Sequence, residues 1–227
     1  LEEPPVAAQS QRHIASKGDL ERPLGASTSH AEAIAVDHGV TMDAIEELLD
    51  KDDLEEALSR IMEAENGPPW SDPDLQDARA AVVTRIAEKV MESDANQALN
   101  HLNEVLKRVS DYAEAHLQVG RALSRLDMNT EALQAYDRAV ALDSSLHVAH
   151  YNRGILLLQT GNYLEAEQSF LQSLALRPPY LADVLVNLAA CRARAEDMQQ
   201  AKTYLVKALE VDPEHEIAKK NLERFTQ

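Results

Sequence analysis

From Ala149 to Gln159 apolar residues recur at helical spacing, Ala149, Ile155, Leu156 and Leu158 among them, until Gly161-Asn162 breaks the run. A second helical run follows with Tyr163, Ala166, Phe170, Ser173, Leu174 and Leu176 at steps of three and four, and Pro178-Pro179 stops it. Two periodic runs on either side of a short polar turn predict an antiparallel helix pair. Each helix has one apolar stripe, and neither can bury it alone. The small residues Gly154 and Ala166 let the pair approach closely, while Phe170 fills the wedge toward a neighbouring pair.

The same pattern returns at a fixed offset. Gly120 to Gly154, Ala132 to Ala166 and Tyr136 to Phe170 are each 34 residues apart, and Ala166 to Ala201 is 35, which places one extra residue near Pro179 and Tyr180. A period of this length predicts stacked helical repeats. The clear units are 113–146, 147–181 and 182–215, with a degenerate unit at 75–110, in which Ile86 stands where the others have Gly or Ala. Ahead of it, residues 41–65 predict a helical hairpin with stripes Met42, Ile45, Leu48, Leu49 and Leu54, Ala57, Leu58, Ile61, Met62, and Thr41 as an N-cap. Residues 66–74 predict a loop by their Gly, Pro and Asp content. Trp70 lies inside it, where an indole more often folds back on adjacent helices than waits for a ligand. Residues 1–36, rich in Pro, Ala, Ser and Gln, predict a mobile tail or linker. A final amphipathic stretch, 214–226, reads as a closing helix over the last unit.

These positions resemble the tetratricopeptide repeat family. The matches are Gly120, Ala132, Tyr136 and Ala139; then Gly154, Ala166, Phe170 and Pro178; then Ala189, Ala201, Leu205, Ala208 and Pro213. Departures are Ser144 in place of Pro, Ser173 in place of Ala and Ala189 in place of Gly. The resemblance implies an all-α fold, a right-handed α-α superhelix or solenoid of helix pairs with a C-terminal capping helix. Its concave face would be lined mostly by the first helix of each pair.

Composition agrees with helices: aromatics are 4% and glycines number 7 in 227 residues. No apolar run reaches the roughly 18–20 residues a membrane helix needs, so no membrane insertion is expected. The net charge is −17, with −13 of it in residues 1–75 and −4 in 76–227. Phosphate backbones demand positive surface, so nucleic acid is not an expected partner. One cysteine, Cys191, excludes an intramolecular disulfide and reads as a small packed side chain. His116 and His150 share repeat position 4, a packing site in the family, and read as neutral packed imidazoles, with no metal site expected. No phosphate loop, nucleophile elbow or zinc-protease motif is present, so the expectation is a non-enzyme without cofactors. The chain begins with Leu, which reads as a fragment or processed product. Its compartment stays open between the cytoplasm, which is favoured, and export after processing.

The resemblance assigns repeat positions 2, 5, 6, 9 and 13 to the concave face. Position 6 then forms a carboxamide ladder of Gln118, Asn152, Asn187 and Asn221. A side-chain amide both donates and accepts, so such a ladder can hold the backbone of an extended peptide. A similar asparagine ladder serves this purpose in the repeats of the O-linked N-acetylglucosamine transferase. The alternative, that these amides bond neighbouring backbone, carries equal weight. Around them stand Arg121, Arg125, Arg194, Lys220 and Arg224, suited to an acidic segment or a chain terminus, with Tyr151 and Ile155 beside them. The two-carboxylate clamp of chaperone-binding members is not reproduced: only Asn152 matches it in one register and only Asn187 in the next.

The expected function is a protein-interaction scaffold that binds an extended or acidic peptide segment in its concave groove. Two alternatives remain. The chain could be the recognition or regulatory region of a larger enzyme, such as a glycosyltransferase or methyltransferase. It could also be a self-associating assembly scaffold, in which case a homo-oligomer forms edge to edge.

Overall fold

The computed structural model describes residues 42–65 and 73–224. The expected tail at 1–36, Thr41, Trp70, most of the 66–74 loop and the last residues of the closing helix lie outside them. Every described element is helical: α1 Met42–Asp50, α2 Leu54–Glu65, α3 Pro73–Met91, α4 Ala95–Arg108, α5 Ala113–Arg125, α6 Asn129–Leu142, α7 His147–Gln159, α8 Tyr163–Ala175, α9 Leu181–Arg194, α10 Met198–Val211 and α11 Glu216–Arg224. Consecutive helices pair as α1·α2, α3·α4, α5·α6, α7·α8 and α9·α10, with α11 packed on α10. The helices gather into two compact units, and the chain passes from one to the other between Leu142 and Asp143.

Two boundaries differ from the sequence expectation. Helix α3 starts at Pro73, inside the expected loop, because proline at the first helical position gives up only an N–H that would lack a partner there. Helix α11 starts at Glu216 instead of Glu214. The His215 ring accepts the Ala218 N–H (3.3 Å), so His215 caps the helix from outside it.

Four of the five turns inside the pairs share one geometry. Asp52, Asp127, Gly161 and Glu196 have φ of 61°, 57°, 85° and 61°, the left-handed conformation that ends a helix. In each, the next residue's N–H returns to a carbonyl five residues back: Asp53 to Leu48, Met128 to Leu123, Asn162 to Leu157 and Asp197 to Arg192. The reversal therefore rests on backbone hydrogen bonds, and glycine appears at only one of the four positions.

Close approach within a pair follows from a matched couple of residues 16 apart. A methyl group added at Gly120 would lie 2.5 Å from Tyr136 Cε1, and one at Gly154 would lie 2.7 Å from Phe170 Cε1. Both rings are buried, Phe170 fully. In the next unit the couple is Ala189 and Leu205, also buried, where a smaller partner leaves room for the methyl. Ile86 breaks the rule because helix α3 serves two neighbours. It packs beside Ala78 and Val82 against the Ile45, Leu49, Leu54, Ala57 and Ile61 cluster of the hairpin. The other side of α3, with Ala80, Val83, Ala87 and Met91, meets Ala98, Leu102 and Val105 of α4.

Candidate partner-binding face

In the N-terminal unit the first helices α1, α3 and α5 touch in succession, and their charged residues are joined one repeat apart. Arg85 and Lys89 reach Asp52 at 3.5 and 2.9 Å. Arg121 Nη1 donates to Glu88 Oε1 at 2.8 Å and to Gln118 Oε1 at 2.7 Å, and Arg125 pairs with Glu92. Gln118 and Arg121 are buried, at 1% and 8% exposure. Two of the three residues expected on the binding face, Gln118 and Arg121, therefore lie below the surface. Gln118 lies beneath the surface with its carbonyl engaged, Arg121 is buried against Glu88 of α3, and Arg125 stays exposed while pairing with Glu92 just past the end of α3.

The C-terminal unit is built differently. Asn187, 1% exposed, donates from Nδ2 to the Tyr151 hydroxyl (3.2 Å) and to the Asp183 carbonyl (3.0 Å). Tyr151 is itself buried, its ring against Phe170 and Tyr180 with centroids 5.8 and 4.8 Å away. Burial pushes its hydroxyl pKa well above the usual tyrosine value, and the Asp183 charge adds to this. Tyr151 and Asn187 thus support the face from below, which corrects their reading as surface contacts. Asn152, Ile155, Arg194 and Asn221 are half-buried, and Lys220 and Arg224 are exposed.

Two side-chain atoms here have no protein partner: Asn152 Nδ2, a donor, and Asn187 Oδ1, an acceptor. They stand at the same repeat position on the adjacent helices α7 and α9. The contrast with Gln118 has a local cause. Position 9 holds Arg121 in α5, which reaches back three residues to the amide, whereas Ile155 in α7 and Ala190 in α9 have nothing to donate or accept. Unpaired buried polar atoms cost roughly 1–3 kcal/mol each.

The closing helix is tied to this face by a residue the sequence reading did not single out. His215 Nδ1 accepts the Ala218 N–H, so its Nε2 carries the proton and donates to Asp183 Oδ1 at 3.1 Å. This bond fixes the end of α11 that leads to Lys220, Asn221 and Arg224. The available signal was a histidine at the helix cap 32 residues after an acidic residue of the same face.

The remaining candidates are structural. His116 and His150 each set Nε2 against the carbonyl of the serine six residues earlier, at 2.9 and 3.1 Å. Burial holds the His150 pKa below the ordinary histidine value, and the nearby Arg153 charge acts in the same direction. Cys191 is buried, and burial pushes its thiol up to about 12, with Glu167 adding to the shift, so it is protonated and inert. No described helix is long and apolar enough to cross a membrane.

Comparison with known proteins follows the repeats. Two tetratricopeptide repeat family models match residues 92–147 and 145–214, together more than half of the chain. Human Superkiller complex protein 3 is 36% identical over 75 residues, which span 30% of this chain and 5% of that protein. Among solved structures, YrrB, a TPR protein with an unusual peptide-binding site, is 21% identical with a TM-score of 0.61, covering 86% of this chain and 98% of YrrB. MamA from Desulfovibrio magneticus RS-1 is 17% identical with a TM-score of 0.58, covering 81% and 97%. A tetratricopeptide repeat protein from Parabacteroides merdae is 17% identical with a TM-score of 0.59, covering 86% and 72%. The repeat spacing, the packed helix pairs and both family matches agree: this chain belongs to the tetratricopeptide repeat family.

Proposed function

We propose that this chain is a non-catalytic protein-interaction scaffold, and that its C-terminal unit receives an extended, acidic segment of a partner protein along α7, α9 and α11. The observation that carries the reading is the pair of exposed cations, Lys220 and Arg224, beside the half-buried amides of Asn152 and Asn221. The side-chain amides of Asn152 and Asn221 each carry a donor and an acceptor, the groups that the backbone of an extended peptide pairs with. Ile155 offers an apolar contact, and Lys220 and Arg224 have no ion-pair partner among the described residues, which favours acidic side chains on the ligand. The similarity in fold to YrrB supports a peptide as the ligand class. With a net charge of −17, the chain as a whole disfavours nucleic acid.

The test is a selection from a displayed peptide library with the 227-residue chain, followed by titration of an enriched peptide. Acidic sequences should be enriched, and their affinity should fall at least about tenfold in Asn152→Ala/Arg224→Glu and weaken with salt. Enrichment of basic sequences, or binding undiminished in that variant, contradicts the reading.

A further inference from the structure

The outward side of α8 differs from that of α4, α6 and α10. Its stripe of Leu164, Gln168, Leu171 and Ala175 is exposed and uncharged, with Leu164 at 71% exposure and Leu171 at 39%. At the same four repeat positions α4 reads Asn, Asn, Asn, Lys from Asn96; α6 reads Thr, Gln, Asp, Ala from Thr130; and α10 reads Gln, Thr, Val, Glu from Gln199. Among these four helices a mostly polar stripe is the ordinary state of this surface, and α8 alone sets two leucines on it. Their steps of four, three and four residues are those of a coiled-coil seam, which another helix fits.

The stripe is complementary to itself when reversed. In an antiparallel pair of α8 helices, Leu164 of one copy meets Ala175 of the other and Gln168 meets Leu171, large against small at the ends with no charge along the seam. The flanking charges set the direction. Glu165 and Arg177 are both exposed, and neither has an ion-pair partner among the described residues. Reversal brings Glu165 of one copy to within about one helical turn of Arg177 of the other, once at each end. Parallel pairing would instead set Glu165 against Glu165. Residues 143–224 hold 11 acidic and 9 basic residues, so this unit adds little repulsion between copies.

We infer that the outer face of α8 is a contact between two copies of this chain, formed by antiparallel α8 helices about a two-fold axis. It is independent of the peptide-binding face. One three-turn helix from each copy buries less than the roughly 1,600 Å² of a standard interface, so the association is reversible and depends on concentration.

Sedimentation of the whole chain over a wide concentration series tests it. The parent should shift from monomer toward dimer, and Leu171→Asp should remain monomeric, with helix content and melting unchanged because Leu171 is exposed. Glu165→Arg and Arg177→Glu should each weaken the dimer severalfold, and the two together should restore it. That rescue separates this contact from any other and still reports if Leu171→Asp misfolds. A parent that stays monomeric throughout, a Leu171→Asp variant that associates like the parent, or a double swap that fails to rescue would overturn the inference. Peptide binding measured on Leu171→Asp reports separately on the function proposed above.

Discussion

The first helices of the two units present related polar residues and use them for different ends. In the N-terminal unit, Arg121 and Arg125 meet Glu88 and Glu92 from the preceding repeat, and Gln118 is drawn into the same network. In the C-terminal unit the equivalent of Arg121 is Ile155, so the Asn152 amide has no such partner, while Lys220 and Arg224 have no ion-pair partner among the described residues. The charge balance follows the same division. Residues 42–142 hold 22 acidic and 10 basic residues against 11 and 9 in 143–224. The lesson concerns repeats in general: a position occupied by similar side chains in successive units can be structural in one and available in the next, and the residue three places on decides which.

The largest expected effect would break this comparison if it failed. Arg121→Ala leaves Glu88 and the buried Gln118 amide without their partner and should destabilise the N-terminal unit by about 3 kcal/mol, near the lower end for a broken buried pair because Glu88 is partly solvated. Arg224→Ala, on an exposed site, should stay within about 0.5 kcal/mol. Denaturant melts of the two variants read the difference, and equal losses would remove the distinction between a structural and an available arginine.

A second effect tests what the units have in common. Gly154→Ala forces the Phe170 ring to move and should cost about 1–3 kcal/mol as overpacking. Adding Phe170→Leu should recover part of that loss, because it recreates the Ala189 and Leu205 couple of the next unit. A double-mutant cycle measures the coupling, and simple additivity would show that the couple is not the packing determinant.

The smallest effect is a pH dependence. The folded His150 pKa is depressed by burial, so below the ordinary histidine value of 6.5 the unfolded chain binds a proton that the folded chain resists. Its contribution is fully present above that value and is lost as pH falls through the folded pKa. Replacing it as in His150→Leu, the residue type found at the equivalent Leu185, should flatten the slope of stability against pH on the acid side of 6.5. An unchanged slope would assign the acid sensitivity to other groups.

Much of the fold was legible in the residues. The Gly120, Gly154 and Ala189 positions with their partners 16 residues on define the helix pairs, and Gly161-Asn162 marks a turn whose geometry recurs at Asp52, Asp127 and Glu196 without glycine. The start of α3 at Pro73 was obscured because proline signals both a loop and a first helical residue. The face itself was only partly legible. Repeat position names which side of a helix a residue occupies, but depth depends on what the neighbouring helix contributes. Gln118, Tyr151 and Asn187 sit below the surface for that reason. The 33-residue spacing from Glu88 to Arg121 and from Glu92 to Arg125 was present in the sequence, as was the 32-residue spacing from Asp183 to His215. A search for opposite charges one repeat apart would have found the first two.

The most direct measurement is a nitrogen-15 spectrum of the side-chain amides of the whole chain during titration with an enriched acidic peptide. The account predicts that the Asn152 and Asn221 signals shift and saturate together while Gln118 stays in place, held by Arg121. Movement of Gln118 with Asn152 and Asn221 unchanged would contradict it, and would place the partner on the N-terminal unit.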